Sequence, residues 1–263
     1  MPNIHPTAII DPSAKIDPST HIGPYSIIGA NVVIGKENQI GPYCVIENTT
    51  MGDKNRIIAS AFIGVAPQEL SYKGEDTRVV MGGGNQIREC VTIHRSTKLD
   101  IPTSIGNNCL LMANSHVAHD CHLGNNIIVA NCTGIAGHVI VEDRVVMSGM
   151  VGVHQFVRVG TMAMLSGGAM VPLDIPPYCI AQGERARLVG LNIVGMRRAG
   201  LSRETIMQIR QAFKFLFRSN KRLEDALTEL EATHPCKEVQ HMIDFCRTSP
   251  RGITAAKRKV NEA

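Results

Sequence analysis

The sequence predicts a mainly β fold, a parallel β-helix wound from six-residue units, followed by an α-helical domain. Three observations carry the prediction. Every sixth residue of one run is aliphatic: Ile105, Leu111, Val117, Leu123, Val129, Ile135, Val141, Met147, Val153, Val159, Leu165 and Val171, twelve matches in twelve tries in a chain that is 44% hydrophobic. Eight isoleucines, Ile4, Ile10, Ile16, Ile22, Ile28, Ile34, Ile40 and Ile46, keep the same beat near the start. Beyond Leu201 the beat changes to helical spacing. A six-residue period with one aliphatic per unit marks a stacked coil whose units cannot bury their apolar face alone.

Each unit reads aliphatic, small or acidic, two variable residues, small, variable, as in IGPYSI and IGKENQ. β-branched residues suit a short strand, and Gly, Asn and Asp suit the turn after it. Three units close a triangular coil of 18 residues that stacks at the usual strand spacing of about 4.8 Å, so residues 18 apart become vertical neighbours. After Ile46 the phase slips by one, with Met51, Ile57 and Ile63 in the new register. Glu69 and Glu75 then occupy aliphatic slots before the pattern returns at Met81, Ile87 and Ile93. Val65 to Arg78 is therefore read as a loop thrown out from the coils, and loops of that length are usually functional. Ser96 to Ser104 keeps phase but carries Pro102 and charges, which predicts a smaller excursion.

The beat stops at DIPPY (174–178). The predicted layout is thus a β-helix over 1–178, with its loop at 65–78, and a connecting segment with an α-helical cap over 179–263. Ser202 is the candidate N-cap of a helix carrying Ile206, Ile209, Phe213, Leu216 and Phe217. Further helices are expected over Leu223 to Ala232 and Cys236 to Cys246. The terminal AAKRKVNEA is expected to fray.

Aromatics make up 4% of the chain and tryptophan is missing, which suits a thin prismatic interior better than a sandwich. A net charge of +4 is too weak to imply nucleic acid. There is no apolar run long enough to span a membrane, and MPNIHPTAII has neither a charged leader nor an apolar one, so a soluble, unexported, cytoplasmic protein is expected. The eight cysteines include no C-x-x-C pair. Cys44, Cys109 and Cys121 sit in the small inward slot of the unit, where free thiols behave as small apolar residues.

The segments IRECVTIHR (87–95), HVAHDC (116–121), AGHV (136–139), VHQF (153–156), DIPPY and GLSRETI (200–206), with PQEL (67–70) in the loop, form an ordered set. They resemble the UDP-N-acetylglucosamine O-acyltransferases of lipid A synthesis, trimeric enzymes built on a left-handed β-helix. The resemblance implies transfer of a 3-hydroxyacyl group from acyl carrier protein to the glucosamine 3-position of a UDP-sugar, with no cofactor and no metal, because a thioester is already activated. It implies His119 as general base, Gly137 as oxyanion donor and Asp120 as the group that orients the histidine. His116, His138, His154 and Gln155 are implied to line the cleft between subunits of a homotrimer. Glu69 is implied to contact the sugar, Asn192 and Arg198 the nucleotide or its phosphates, and Gly167 to limit acyl length.

Coil arithmetic agrees independently, since 119, 137 and 155 fall in one column. An imidazole, with its ordinary pKa of about 6.5, beside an unhindered N–H is a workable acyl-transfer layout. Asp120 reaches the His119 ring only if the pair sits in a turn, because adjacent strand residues point to opposite sides. Two departures from the family pattern are Ser71 in place of a usual lysine, with Lys73 two positions on, and Ala199 in place of a second arginine, beside Arg197. Lys214, Arg218, Lys221 and Arg222 offer a basic surface to an acidic carrier protein.

Other readings stay open at this level. A zinc enzyme of the γ-carbonic anhydrase type would use histidines as ligands, but His116 and His122 fall on prism faces turned by about 120°. The sister glucosamine N-acyltransferase usually carries a further N-terminal domain, and the coils here begin at Ile4. A non-catalytic scaffold would need the beat but not the histidines. The motifs fit a 3-hydroxyl and a 3-amino acceptor alike, and do not select an acyl length.

Overall fold

The computed structural model describes residues 3–257. Most hexads form a two-residue strand followed by a turn, as at His21–Ile22, where the first side chain is exposed and the second buried. Strands stack in parallel with residues 18 apart in register, Asn3 against His21 and Ile4 against Ile22. Among the described residues this builds three sheets, a first face of eleven strands, a second of nine and a third of eight. The chain is a left-handed parallel β-helix of about ten turns. The column of repeat aliphatics, from Ile22 to Val171, fills the interior and is almost wholly buried. Each such side chain contributes about 1.5–3 kcal/mol relative to remaining exposed. Cys44, Cys109 and Cys121 are buried among them, as expected for the small inward slot.

The turns supply the outward columns. From the second coil on, the second residue of most turns has positive φ, including Tyr25, Tyr43, Asp120 and His138, all near 60°. Vertical stacking then brings equivalent side chains together, so that the Tyr25 and Tyr43 rings lie face to face at 5.4 Å.

Register explains the breaks in the beat. Gln39 pairs with Arg56, 17 residues on, which is the one-residue slip. Arg56 pairs with Gln86, 30 residues on and two hexads more than a full coil. Gln86 pairs with Leu110, 24 residues on and one hexad more. Both excursions therefore preserve phase. The larger loop runs over 66–78, between the strands Phe62–Val65 and Val79–Met81. It leaves through a bulge at Gly64, where φ is +77° and an added Cβ would collide with the Glu47 carbonyl oxygen.

The connecting segment is more ordered than the sequence suggested. Cys179–Gln182 adds a further parallel strand beside Met164–Leu165. Arg187–Leu191 returns antiparallel to it after Gly183, whose φ is +108°. These strands are four and five residues long, so the six-residue beat could not reveal them. A short helix, α1 (Ile193–Arg198), was also missed. The cap continues with α2 (Arg203–Arg218), α3 (Leu223–Glu231) and α4 (Lys237–Arg247). Ser202 caps α2 by accepting from the Thr205 N–H at 3.1 Å. Ile206, Ile209 and Leu216 turn inward against Leu227, Met242 and Ile243, a second core that meets the coil at Tyr178.

Ala255 to Lys257 are not frayed: the Leu188 N–H donates to the Ala255 carbonyl at 3.0 Å, and the Lys257 N–H to the Leu188 carbonyl at 2.8 Å. The exposed edge of Arg187–Leu191 supplies those partners. The rest of AAKRKVNEA lies outside the described residues. Among the described residues no helix is long and apolar enough to cross a membrane.

Candidate active site

His119 and Asp120 occupy the turn between a second-face strand (His116–Val117) and a third-face strand (His122–Leu123). Because they sit in a turn, with Asp120 at φ 58°, their side chains meet rather than diverge. His119 Nδ1 lies 2.7 Å from Asp120 Oδ2. Asp120 is 4% exposed. The shorter excursion surrounds it with donors: the Ser96 hydroxyl at 2.6 Å, the Thr97 N–H at 3.0 Å and the Thr97 hydroxyl at 2.8 Å. The Asp120 N–H donates in turn to the Thr103 hydroxyl oxygen at 2.8 Å. Burial pushes the Asp120 carboxyl up, but hydrogen bonds from Ser96, His119 and Thr97 outweigh it and hold it at about 2. A permanent carboxylate on Nδ1 fixes the tautomer and leaves Nε2 as the free acceptor.

The next rung supplies the room. A Cβ on Gly137 would lie 2.6 Å from His119 Cε1 and 2.8 Å from Nε2, so the imidazole rests where a side chain would otherwise stand. Among the described residues the Gly137 N–H has no acceptor, while its carbonyl accepts from the Phe156 N–H. Gln155 follows in the same column and is exposed.

Asp120, His138 and Phe156 form the neighbouring column. His138 stacks on Phe156 at 4.5 Å, meets His119 edge-on at 5.2 Å and places Nε2 3.6 Å from Asp120 Oδ2. Sequence reasoning passed over Phe156, Ser96, Thr97 and Thr103. The 18-residue column pointed to Phe156, whereas the three hydroxyl residues belong to an excursion whose path no periodicity reveals.

On the second face the outward positions after His116 are Gly134 and Gly152, and Met170 comes next. Two missing side chains leave a trough of about 790 Å³, lined by His116, Gly134, Ala136, Gly152, His154 and Met170 among others. His116 Nδ1 is bonded to the Thr92 hydroxyl at 2.7 Å. His94 packs edge-on to His116 at 4.7 Å, and burial, then the neighbouring His116 and His119, lower it to about 4. Burial and then the neighbouring His119 also lower His116. Burial is the first cause for His138 as well, against the pull of Asp120. These three rings are neutral hydrogen-bonding groups at neutral pH.

Glu69, on the larger loop, brings Oε2 to 3.8 Å from His119 Nε2. The remaining expected residues lie elsewhere. Asn192 and Arg198 line a cavity of about 530 Å³ on the first face. The Asn192 amide is engaged at both ends, accepting from the Gly195 N–H and donating to the Met162 carbonyl, each at 2.9 Å. Gly167 lies in an exposed turn between the first and second faces, where an added Cβ would meet nothing nearer than 3.6 Å. Burial raises the Cys121 thiol to about 12, which removes it as a nucleophile near neutral pH.

His119, Asp120 and His138 offer donor atoms within 4.8 Å of one another, a grouping a metal ion fits by distance. Asp120 Oδ2, however, already accepts from the Thr97 hydroxyl and faces His119 Nδ1 at 2.7 Å. His116 and His122, the pair a γ-carbonic anhydrase reading needs, lie on the second and third faces.

A family profile described as Udp N-acetylglucosamine O-acyltransferase, Domain 2, matches residues 174–254. A bacterial transferase hexapeptide profile matches 102–137, and a GMPPB C-terminal domain profile matches 4–68. The chain is 49% identical over 247 residues to the acyl-[acyl-carrier-protein]–UDP-N-acetylglucosamine O-acyltransferase of Gloeothece citriformis, covering 94% of this chain and 90% of that one. The structure of the Francisella novicida UDP-N-acetylglucosamine acyltransferase matches with a TM-score of 0.93 and 38% identity, over 97% of this chain and 95% of that one. LpxA of Acinetobacter baumannii matches with a TM-score of 0.93 and 41% identity, over 96% and 99%. The chain belongs to the acyl-[acyl-carrier-protein]–UDP-N-acetylglucosamine O-acyltransferase family.

Proposed function

We propose that the chain transfers a 3-hydroxyacyl group from acyl carrier protein to the glucosamine 3-position of UDP-N-acetylglucosamine, the opening acylation of lipid A synthesis, with His119 as general base. The observation that carries this reading is an imidazole tied to a carboxylate at 2.7 Å and resting on a bare glycine, whose chain neighbour Ala136 lines the glycine-floored trough. His119 Nε2 takes the proton of the acceptor hydroxyl as its oxygen attacks the thioester carbonyl. Asp120 stabilises the imidazolium that forms. The Gly137 N–H meets the tetrahedral oxyanion, a contribution on the order of 3 kcal/mol. Collapse breaks the C–S bond, and the imidazolium returns its proton to the departing thiolate. His116, His138, His154 and Gln155 contact the sugar, phosphates or acyl carbonyl, and the trough takes the acyl chain.

Asn192 and Arg198 lie on the first face, whereas His119 stands at the corner between the second and third. A homotrimer, in which each corner meets a neighbour's first face, unites them in one cleft. Given the two hydrogen bonds that engage its amide, Asn192 acts there by shaping α1, and Arg198 supplies the phosphate contact. A carrier-protein thioester as donor and a nucleotide sugar as acceptor support a cytoplasmic reaction.

The test is a product mass spectrum from UDP-N-acetylglucosamine and a panel of acyl carrier protein thioesters. A single O-acylated UDP-sugar is expected from the parent and almost none from His119→Ala, with the trimer retained by light scattering. A His119→Ala rate within a few-fold of the parent removes the general-base assignment.

A further inference from the structure

The loop over 66–78 contains neither helix nor strand, yet one partly buried side chain ties it down. The Arg95 side chain is 14% exposed. Its Nε donates to the Tyr72 hydroxyl oxygen at 3.0 Å, and Nη1 donates to Glu47 Oε1 at 3.0 Å and to the Gly64 carbonyl at 2.8 Å. The guanidinium also lies 5.5 Å from the centre of the Tyr72 ring. Tyr72 passes the tie onward: its hydroxyl donates to the Glu75 carbonyl at 2.6 Å and its N–H to the Glu69 carbonyl at 3.1 Å. One step away, Ser71 donates both its N–H and its hydroxyl to Glu69 Oε1 at 3.0 Å, leaving Oε2 to face His119.

The resulting 3.8 Å between Glu69 Oε2 and His119 Nε2 is too long for a hydrogen bond. It is the span that one hydroxyl oxygen bridges, standing about 2.8 Å from each atom. A free loop of this length would not hold that gap, because its ordering entropy opposes any single placement.

We infer that Arg95 and Tyr72 are positioning residues that fix Glu69 at the distance from His119 needed to seat an acceptor hydroxyl. The inference rests on the reading of His119 as general base. Tyr72→Phe keeps the ring and deletes only the hydroxyl, so it loosens the tie without emptying the packing. The expected result is a rise of about tenfold in KM for the nucleotide sugar, the scale of one lost hydrogen bond to a charged group. KM for the acyl donor stays within about twofold and kcat falls by less than KM rises. In a Glu69→Gln background the same change adds less than about twofold, because the residue it positions has already lost its charge.

Hydrogen exchange over 66–78 speeds up in Tyr72→Phe while the coil amides hold. An acceptor KM within twofold of the parent, or an undiminished tenfold effect in the Glu69→Gln background, overturns the inference. If the parent fails to acylate the nucleotide sugar at all, the functional reading falls. Exchange then still decides the tie: unchanged protection of the loop in Tyr72→Phe refutes it.

Discussion

Replacing Gly137 by alanine tests the contact between the two central rungs. The new methyl carbon would stand 2.6 Å from His119 Cε1 and 2.8 Å from Nε2. Ordinary carbon contacts are about 3.6 Å, so the imidazole must retreat by roughly 1 Å. It cannot do so freely, because Nδ1 is tied to Asp120 at 2.7 Å and Asp120 is held by Ser96 and Thr97. A displacement of about 1 Å in a reacting group costs on the order of 10²-fold in rate, or about 2.7 kcal/mol. Gly137 is not among the positive-φ glycines, so alanine brings no backbone strain and the coil should stay folded. The assay is thiol release from an acyl carrier protein thioester with saturating UDP-N-acetylglucosamine, run beside a thermal melt. The expected result is kcat down by about 10²-fold with the melting midpoint nearly unchanged. A variant within about threefold of the parent would refute the claim that the ring works from its present position.

Three further outcomes are expected. Asp120→Asn removes the carboxylate that fixes the His119 tautomer, so kcat should fall about 10²- to 10⁴-fold with substrate KM little changed; a loss under tenfold would remove the orienting role. The cap is latched to the coil by His241 Nε2 at 2.7 Å from Glu142 Oε2, which raises the histidine's pKa above 6.5 through that hydrogen bond. Burial pushes the Glu142 carboxyl up, but His241 and Thr161 hold it below 4.5. The histidine's contribution is fully present below pH 6.5 and fades as pH rises through its folded value. The carboxylate's is present above pH 4.5 and fades on acidification. The difference in Tm between the parent and His241→Ala should therefore peak between those values and shrink by pH 9; a difference independent of pH would contradict the latch. Gly167→Met, whose added Cβ meets nothing within the chain nearer than 3.6 Å, should fold normally and shift preference toward shorter acyl groups. An unchanged ratio across acyl lengths would remove Gly167 from length selection.

The coil was legible because its chemistry repeats. One buried aliphatic per hexad is a demand the chain meets at every rung, so a six-residue count finds the strands, the one-residue slip and both excursions. The same count places 119, 137 and 155 in a column, and the structure seats the His119 ring against Gly137. It could not show that His119 and Asp120 share a turn, because the outward or inward direction of a turn residue depends on φ, not on period. Ser96 and Thr97 escaped for another reason: an excursion exactly one hexad long leaves the beat intact and says nothing about where its hydroxyls point. The strands at Cys179–Gln182 and Arg187–Leu191 are too long for the hexad rule, and α1 is too short for helical periodicity to register. The family motifs supplied Asn192 and Arg198, whose place on another face no local pattern foretold.

The most direct test is a crystal structure of the assembled protein with UDP-N-acetylglucosamine bound. The account predicts the acceptor hydroxyl within about 2.6–3.2 Å of His119 Nε2 and in contact with Glu69, with Arg198 of an adjacent subunit near the phosphates. A sugar bound with its 3-hydroxyl directed away from His119, or a nucleotide held wholly by one subunit's third face, would contradict it.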